Sequence, residues 1–138
     1  MTTTTYTTSP VRTSAANDAF WRPAALAAIA AAAATTTVAA IAHAAGVSLA
    51  IGGEQIPLMG FATLTVMFSA IGILIAAGLR RWAGSPRTAF VRMTVALTAL
   101  SLVPDLLVSA SVDTRLTLMT THLVAAAIMI PAVAKRLR

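Results

Sequence analysis

Four long apolar runs, separated by short polar breaks, organise this chain. They are Pro23 to Ala45, "PAALAAIAAAAATTTVAAIAHAA"; Leu58 to Leu79, "LMGFATLTVMFSAIGILIAAGL"; Thr88 to Val108, "TAFVRMTVALTALSLVPDLLV"; and Arg115 to Ala134, "RLTLMTTHLVAAAIMIPAVA". Each is close to the roughly 20 residues that an α-helix needs to cross bilayer hydrocarbon. None alternates with period two, so strands are not expected. Lipid offers no partner to a backbone amide, and a helix satisfies its own. The expected fold class is an all-α membrane protein, a bundle of four transmembrane helices with spans at about 23–45, 58–79, 88–108 and 115–134.

The breaks carry their own signals. In "GVSLAIGGEQIP" (Gly46 to Pro57), Gly52 and Gly53 lie between two short β-compatible stretches, which predicts a small hairpin or compact lid between the first two helices. "SASVDT" (Ser109 to Thr114) is short enough to make the third and fourth helices antiparallel neighbours, with Asp113 as the expected cap of the fourth. Residues 1–17 begin "MTTTTYTTSPVRTSAA" and hold too little apolar surface to offset chain entropy, so they read as a disordered Thr-rich tail before a membrane domain at 18–138. Asn17 or Asp18 suits a helix start and Pro23 a first turn. Ala42-His43-Ala44 resembles a signal cleavage site. The apolar run before it exceeds the roughly 7–15 residues of a signal core, so a retained span is expected. Its Ala-rich surface suits close packing and predicts a helix enclosed by the others.

Composition strengthens the membrane reading. The 138 residues are 58% hydrophobic and 10% charged, with mean hydropathy +0.85; soluble domains are about a quarter charged. No cysteine is present, which excludes disulfides, thiolate catalysis and Cys-ligated metals. The net charge of +6 would suggest nucleic acid in a soluble protein. Here its distribution points elsewhere. Arg12, Arg22, Arg80, Arg81, Arg87, Arg92, Lys135, Arg136 and Arg138 flank one side of the spans, and only Arg115 flanks the other. That asymmetry predicts a plasma-membrane protein with both termini and the middle loop cytoplasmic. Trp21 beside Arg22 and Trp82 beside Arg81 fit an aromatic belt at the same interface. The expected partners are the bilayer and anionic lipid headgroups at that face. Nucleic acid is not expected, because no separate basic domain exists to contact phosphates.

Several polar residues interrupt the apolar runs. Thr94, Thr98, Ser101, Asp105 and Ser109 recur every three or four residues, one stripe on the third helix. Such a stripe should face protein or water. Pro104 removes a donor and frees the carbonyl of Leu100, which Ser101 or a water is expected to satisfy. His122 lies in the fourth helix, Arg115 seven residues before it on the same face, and His43 near the same end of the first helix. Glu54, in the first loop, is placed to reach over them. Asp105, Arg115, His122, His43 and Glu54 are therefore the candidate polar cluster or ligand pocket. One reading is interhelical glue, with Asp105 pairing with Arg115, His122 or both. The other is a site for a proton or a polar small molecule. The ligand types suit a metal, but no spacing such as HExxH supports one, so no metal site is assigned. No nucleophile elbow, phosphate loop or paired-carboxylate motif is present, so no catalytic residue or cofactor is expected. On the second helix Thr65, Ser69, Gly72 and Ala76 form a small-residue stripe. It suits packing within the bundle, with a homodimer face as the alternative.

The stretches "IPLMGFATLTVMFSAIGILIAAGLRRW" and "ALTALSLVPDLLVSASVDTRLTLMTTHLVAAAIMIPAVAKRL" resemble a family of small four-span bacterial membrane proteins, chiefly actinobacterial, described as a domain of unknown function. The resemblance covers roughly residues 23–137 and is most specific in "LSLVPDLL" and "TRLTLMTTHLVAA". It implies a four-helix integral membrane protein and no activity, cofactor or substrate. The expected function is that of a small non-enzymatic membrane protein, accessory or envelope-associated. The alternative is a small-molecule or proton-linked binding or transport protein using the polar cluster.

Overall fold

Helix α1 (Thr13–Ala44) begins ten residues before the apolar run that predicted it. In this computed structural model, which describes residues 13–137, Asn17, Asp18 and Pro23 therefore lie within the helix rather than at its start. Residues 13–17, expected in the tail, are helical, and the rest of that tail lies outside the described residues. Three further helices follow: α2 (Leu58–Trp82), α3 (Pro86–Leu107) and α4 (Val112–Ala134). All four are long and apolar enough to cross a membrane.

The helices form a ring in chain order. α1 packs chiefly on α4 and α2, and α3 packs on α4 and less on α2, which leaves α1 and α3 on the diagonal. Small side chains make the α1 contacts close. Ala24, Ala27, Ala28, Ala31, Ala32, Thr35 and Ala39 are all buried, at the three- and four-residue intervals of one helix face. Of the apolar window of α1, 39% is buried, against 11–17% for the other three helices. The small stripe of α2 is used within the chain. Ser69 and Ala76 are buried, and the Thr65 hydroxyl lies 2.9 Å from that of Thr35 on α1. Thr35 Oγ1 donates to the Ala32 carbonyl at 3.1 Å. One hydroxyl has one hydrogen, so Thr65 is the donor between the two.

Two apolar cores hold the ends. At the basic end Phe20, Ala24, Ala28, Ile73, Ala76, Phe90, Val133, Ala134 and Leu137 pack together. At the opposite end Leu49 and Phe61 close on Ala39, with Val47, Ile56 and Leu118 around them. Outside these cores large apolar side chains such as Leu64, Phe68, Leu74, Leu100 and Leu123 point away from the bundle. A ring of that extent facing water would be an aggregation surface; facing acyl chains it costs nothing.

The hairpin appears where the two glycines predicted it. Strands β1 (Ala50–Ile51) and β2 (Glu54–Gln55) pair antiparallel, Ala50 with Gln55 and Ile51 with Glu54. Gly52 and Gly53 take φ of 60° and 91°, the two left-handed residues that a tight two-residue turn needs. The α1 end feeds into it through a Schellman closure: Val47 N–H donates to Ala42 O and Gly46 N–H to His43 O, each at 3.0 Å. Leu49 also has positive φ, 49°, which is unfavourable for a residue with a Cβ. Its burial, 1% exposed between Ala39 and Phe61, offsets that cost. The hairpin is tied to the other loop at this end by Gly52 N–H donating to Ser109 O at 2.9 Å.

Candidate functional site

α3 is anchored to the bundle at its two extremes. Its buried residues are Pro86 and Phe90 near the basic end and Asp105 near the hairpin end. The hydroxyls between them turn onto their own helix: Thr94 to Phe90 O at 2.8 Å, Thr98 to Thr94 O at 2.8 Å, and Ser101 to Thr98 O at 2.7 Å. Ser101 therefore does not serve the Leu100 carbonyl that Pro104 frees. Within the polar stripe it is Asp105 that reaches across to another helix.

Its partner is His122 on α4. Asp105 Oδ2 accepts from His122 Nδ1 at 2.6 Å, the one contact between an acidic and a basic side chain among the described residues. A charge-assisted contact of this length is among the stronger hydrogen bonds. The Asp105 side chain is 10% exposed and that of His122 39%. With Nδ1–H committed to the carboxylate, the other ring nitrogen, Nε2, is not used in this contact.

The axial positions explain why these two residues meet. α4 begins at Val112, three residues before its apolar run, with Ser111 and not Asp113 as its cap: Ser111 Oγ accepts from Thr114 N–H at 3.2 Å. Asp113 instead sits in the first turn, where a negative charge complements the helix dipole. His122 is thus ten residues into α4, about 15 Å along its axis, whereas Asp105 is two residues from the end of α3, about 3 Å. The two can touch only because α4 starts well beyond the end of α3 and because helical side chains lean towards their own N-termini. That lean carries Asp105 away from the hairpin end and His122 towards it.

The same offset separates the expected cluster. Arg115 lies seven residues before His122, about 10 Å nearer the hairpin end. It makes no ion pair with Asp105, and its Nε is buried without a hydrogen-bond partner among the described residues. His43 is exposed at the α1 terminus, its Nδ1 3.4 Å from Val47 O, at the rim of a ≈ 280 Å³ cleft lined also by Ser48, Leu49, Gln55 and Ile56. Glu54 is exposed on β2. Of the five candidates, then, Asp105 and His122 are brought together. Among the described residues no ion pair or side-chain hydrogen bond joins Arg115, His43 or Glu54 to them or to one another. No group of three or more His, Asp or Glu able to hold a metal occurs among the described residues.

Sequence reading passed over the hydroxyls of α4. Thr114, Thr117 and Thr121 are buried, on the helix that packs most against α1. Thr117 donates to Asp113 O at 2.8 Å and Thr121 to Leu118 O at 2.7 Å, so each hydroxyl is satisfied on its own backbone. The spacing of three and four in "TRLTLMTT" (Thr114, Thr117, Thr121) is the available signal. It was hidden by the candidate charges interleaved with it.

Among the described residues, four helices long and apolar enough to cross a membrane and large apolar side chains on the outer surface define a multi-pass membrane protein, an all-α four-helix bundle. The chain belongs to the family of unknown function DUF6069, whose model matches residues 15–138. No curated protein and no solved structure matches it.

Proposed function

We propose that this chain is a non-enzymatic component of the plasma membrane, accessory or envelope-associated, in which the Asp105–His122 contact locks α3 to α4. The observation that carries the reading is the burial of α3. In its half nearest the hairpin Asp105 is the one buried residue, and it is bonded to α4 at 2.6 Å. Neither the cleft at His43 nor the apolar groove between α1 and α2 is lined by Asp105 or His122. His122→Gln tests the lock, since an amide donates to Asp105 without ionising. It is expected to keep the thermal midpoint near that of the wild type, while His122→Ala lowers it.

The alternative, a proton-linked binding or transport role, draws on the 39% exposure of the His122 side chain. Proteoliposomes with an imposed pH gradient separate the two readings. Faster dissipation by the wild type than by His122→Gln would establish a proton path and reject the purely structural lock.

The proposed orientation places both termini and the α2–α3 turn on the cytoplasmic side, supported by the nine-to-one division of Lys and Arg. The chain has no cysteine of its own, so single introduced thiols report cleanly. In intact cells Glu54→Cys on the hairpin is expected to react with an impermeant thiol reagent and Ser85→Cys to be shielded. The reverse pattern would invert the topology.

A further inference from the structure

The end of the bundle away from the hairpin gathers an excess of positive charge, with Asp18, one turn before Arg22 on α1, the acidic residue that the helix brings to this end. Arg22 on α1, Arg80 and Arg81 on α2, Arg87 and Arg92 on α3, and Lys135 and Arg136 at the close of α4 are all exposed there. They surround a core that contains residues of all four helices, including Phe20, Ala76, Phe90 and Ala134, so they form a collar rather than scattered charges. The acidic residues with described side chains, Glu54, Asp105 and Asp113, lie at the opposite end. Among the described residues Asp105–His122 is the one acid–base side-chain contact, so those three carboxylates do not neutralise the collar. One of its members is positioned by packing: the Arg80 guanidinium stands 4.5 Å over the Phe20 ring, an arrangement that orients the charge without cancelling it. Trp21 and Trp82 are exposed at the same level, 42% and 80%. Exposed indoles beside cations are the side chains that settle at the depth of lipid headgroups.

We infer that this collar binds the phosphodiester headgroups of anionic phospholipids, and that these lipids are structural partners of the bundle. The chemistry is a match of sign and depth. Seven like charges repel one another, and that repulsion acts against closing the four helix ends on their core. A shell of phosphodiesters relieves it at the plane where the helices leave the hydrocarbon. Zwitterionic headgroups offer no net charge to do the same.

The test compares thermal midpoints of the purified chain in neutral detergent after adding mixed micelles with phosphatidylglycerol, with phosphatidylcholine, or inorganic phosphate alone. Phosphatidylglycerol is expected to raise the midpoint well above the value reached with phosphatidylcholine, and phosphate alone to leave it unchanged. In the triple variant Arg81→Gln, Arg87→Gln, Arg136→Gln, whose altered residues are all exposed, most of the phosphatidylglycerol advantage should vanish. Salt gives an independent check on the wild type: near 1 M, where the screening length falls to about 3 Å, the advantage should shrink. Equal shifts from the two lipids, an undiminished advantage at high salt, or a triple variant that responds like the wild type would each overturn the inference. An equal shift from inorganic phosphate would also overturn it, by showing a site for the free ion.

Discussion

Replacing Asp105 with alanine is expected to destabilise the detergent-solubilised protein by about 1.5–3 kcal/mol, the range for a hydrogen bond to a charged group. Breaking a fully buried ion pair costs more, about 3–5 kcal/mol. The smaller range applies because His122 keeps more than a third of its side chain exposed and is free to find other partners once Asp105 is gone. Asp113→Ala should cost only about 0.3–1 kcal/mol, since that carboxylate interacts with a helix terminus from an exposed position. The decisive measurement is a double-mutant cycle under conditions of reversible unfolding. Asp105→Ala combined with His122→Ala should cost less than the sum of the single changes, with a coupling on the order of 1 kcal/mol. The corresponding cycle with Arg115→Ala should be close to additive, because Arg115 lies about two turns nearer the hairpin. Additivity for His122 would reject the lock, and coupling to Arg115 of equal size would reject the axial offset between α3 and α4.

Ala31→Leu should rival Asp105→Ala in its effect, and for a different reason. Ala31 is 0% exposed on the alanine face of α1, where a larger side chain has no room and the neighbouring helices must separate to admit one. Overpacking of this kind costs about 1–3 kcal/mol and occasionally more. Ala30, one residue earlier, is exposed, so Ala30→Leu adds a side chain that meets lipid or detergent and should leave stability almost unchanged. The adjacent pair controls for helix propensity, which leucine and alanine nearly share. Thermal midpoints of the two variants measure the difference. If both are tolerated alike, the alanine face of α1 is not a close-packed helix contact.

The four spans, the hairpin turn and the close-packed alanine face of α1 were legible along the chain because each rests on local physics; the enclosure expected of α1 is not found, since it is one member of the ring and Leu26, Ile29 and Ile41 face outward. Helix length against bilayer thickness, the left-handed residues of Gly52 and Gly53, and the small volume of alanine depend little on what lies far away in sequence. Helix ends were less legible. α1 begins at Thr13 and α4 at Val112, ahead of their apolar runs, because a helix continues through polar residues wherever its amides are satisfied, as Ser111 does for α4. The make-up of the polar site belonged to the tertiary structure. Sequence spacing put Asp105, Arg115, His122 and His43 in one half of the membrane and could not rank them. Which of them touch depends on how far α4 is displaced along α3. That displacement follows from long-range packing, with Phe90 and Val133 in the core at one end and the Gly52–Ser109 backbone contact at the other. A displacement of one or two helical turns, about 5–10 Å, is enough to exchange Arg115 for His122 as the partner of Asp105, and no local pattern records it.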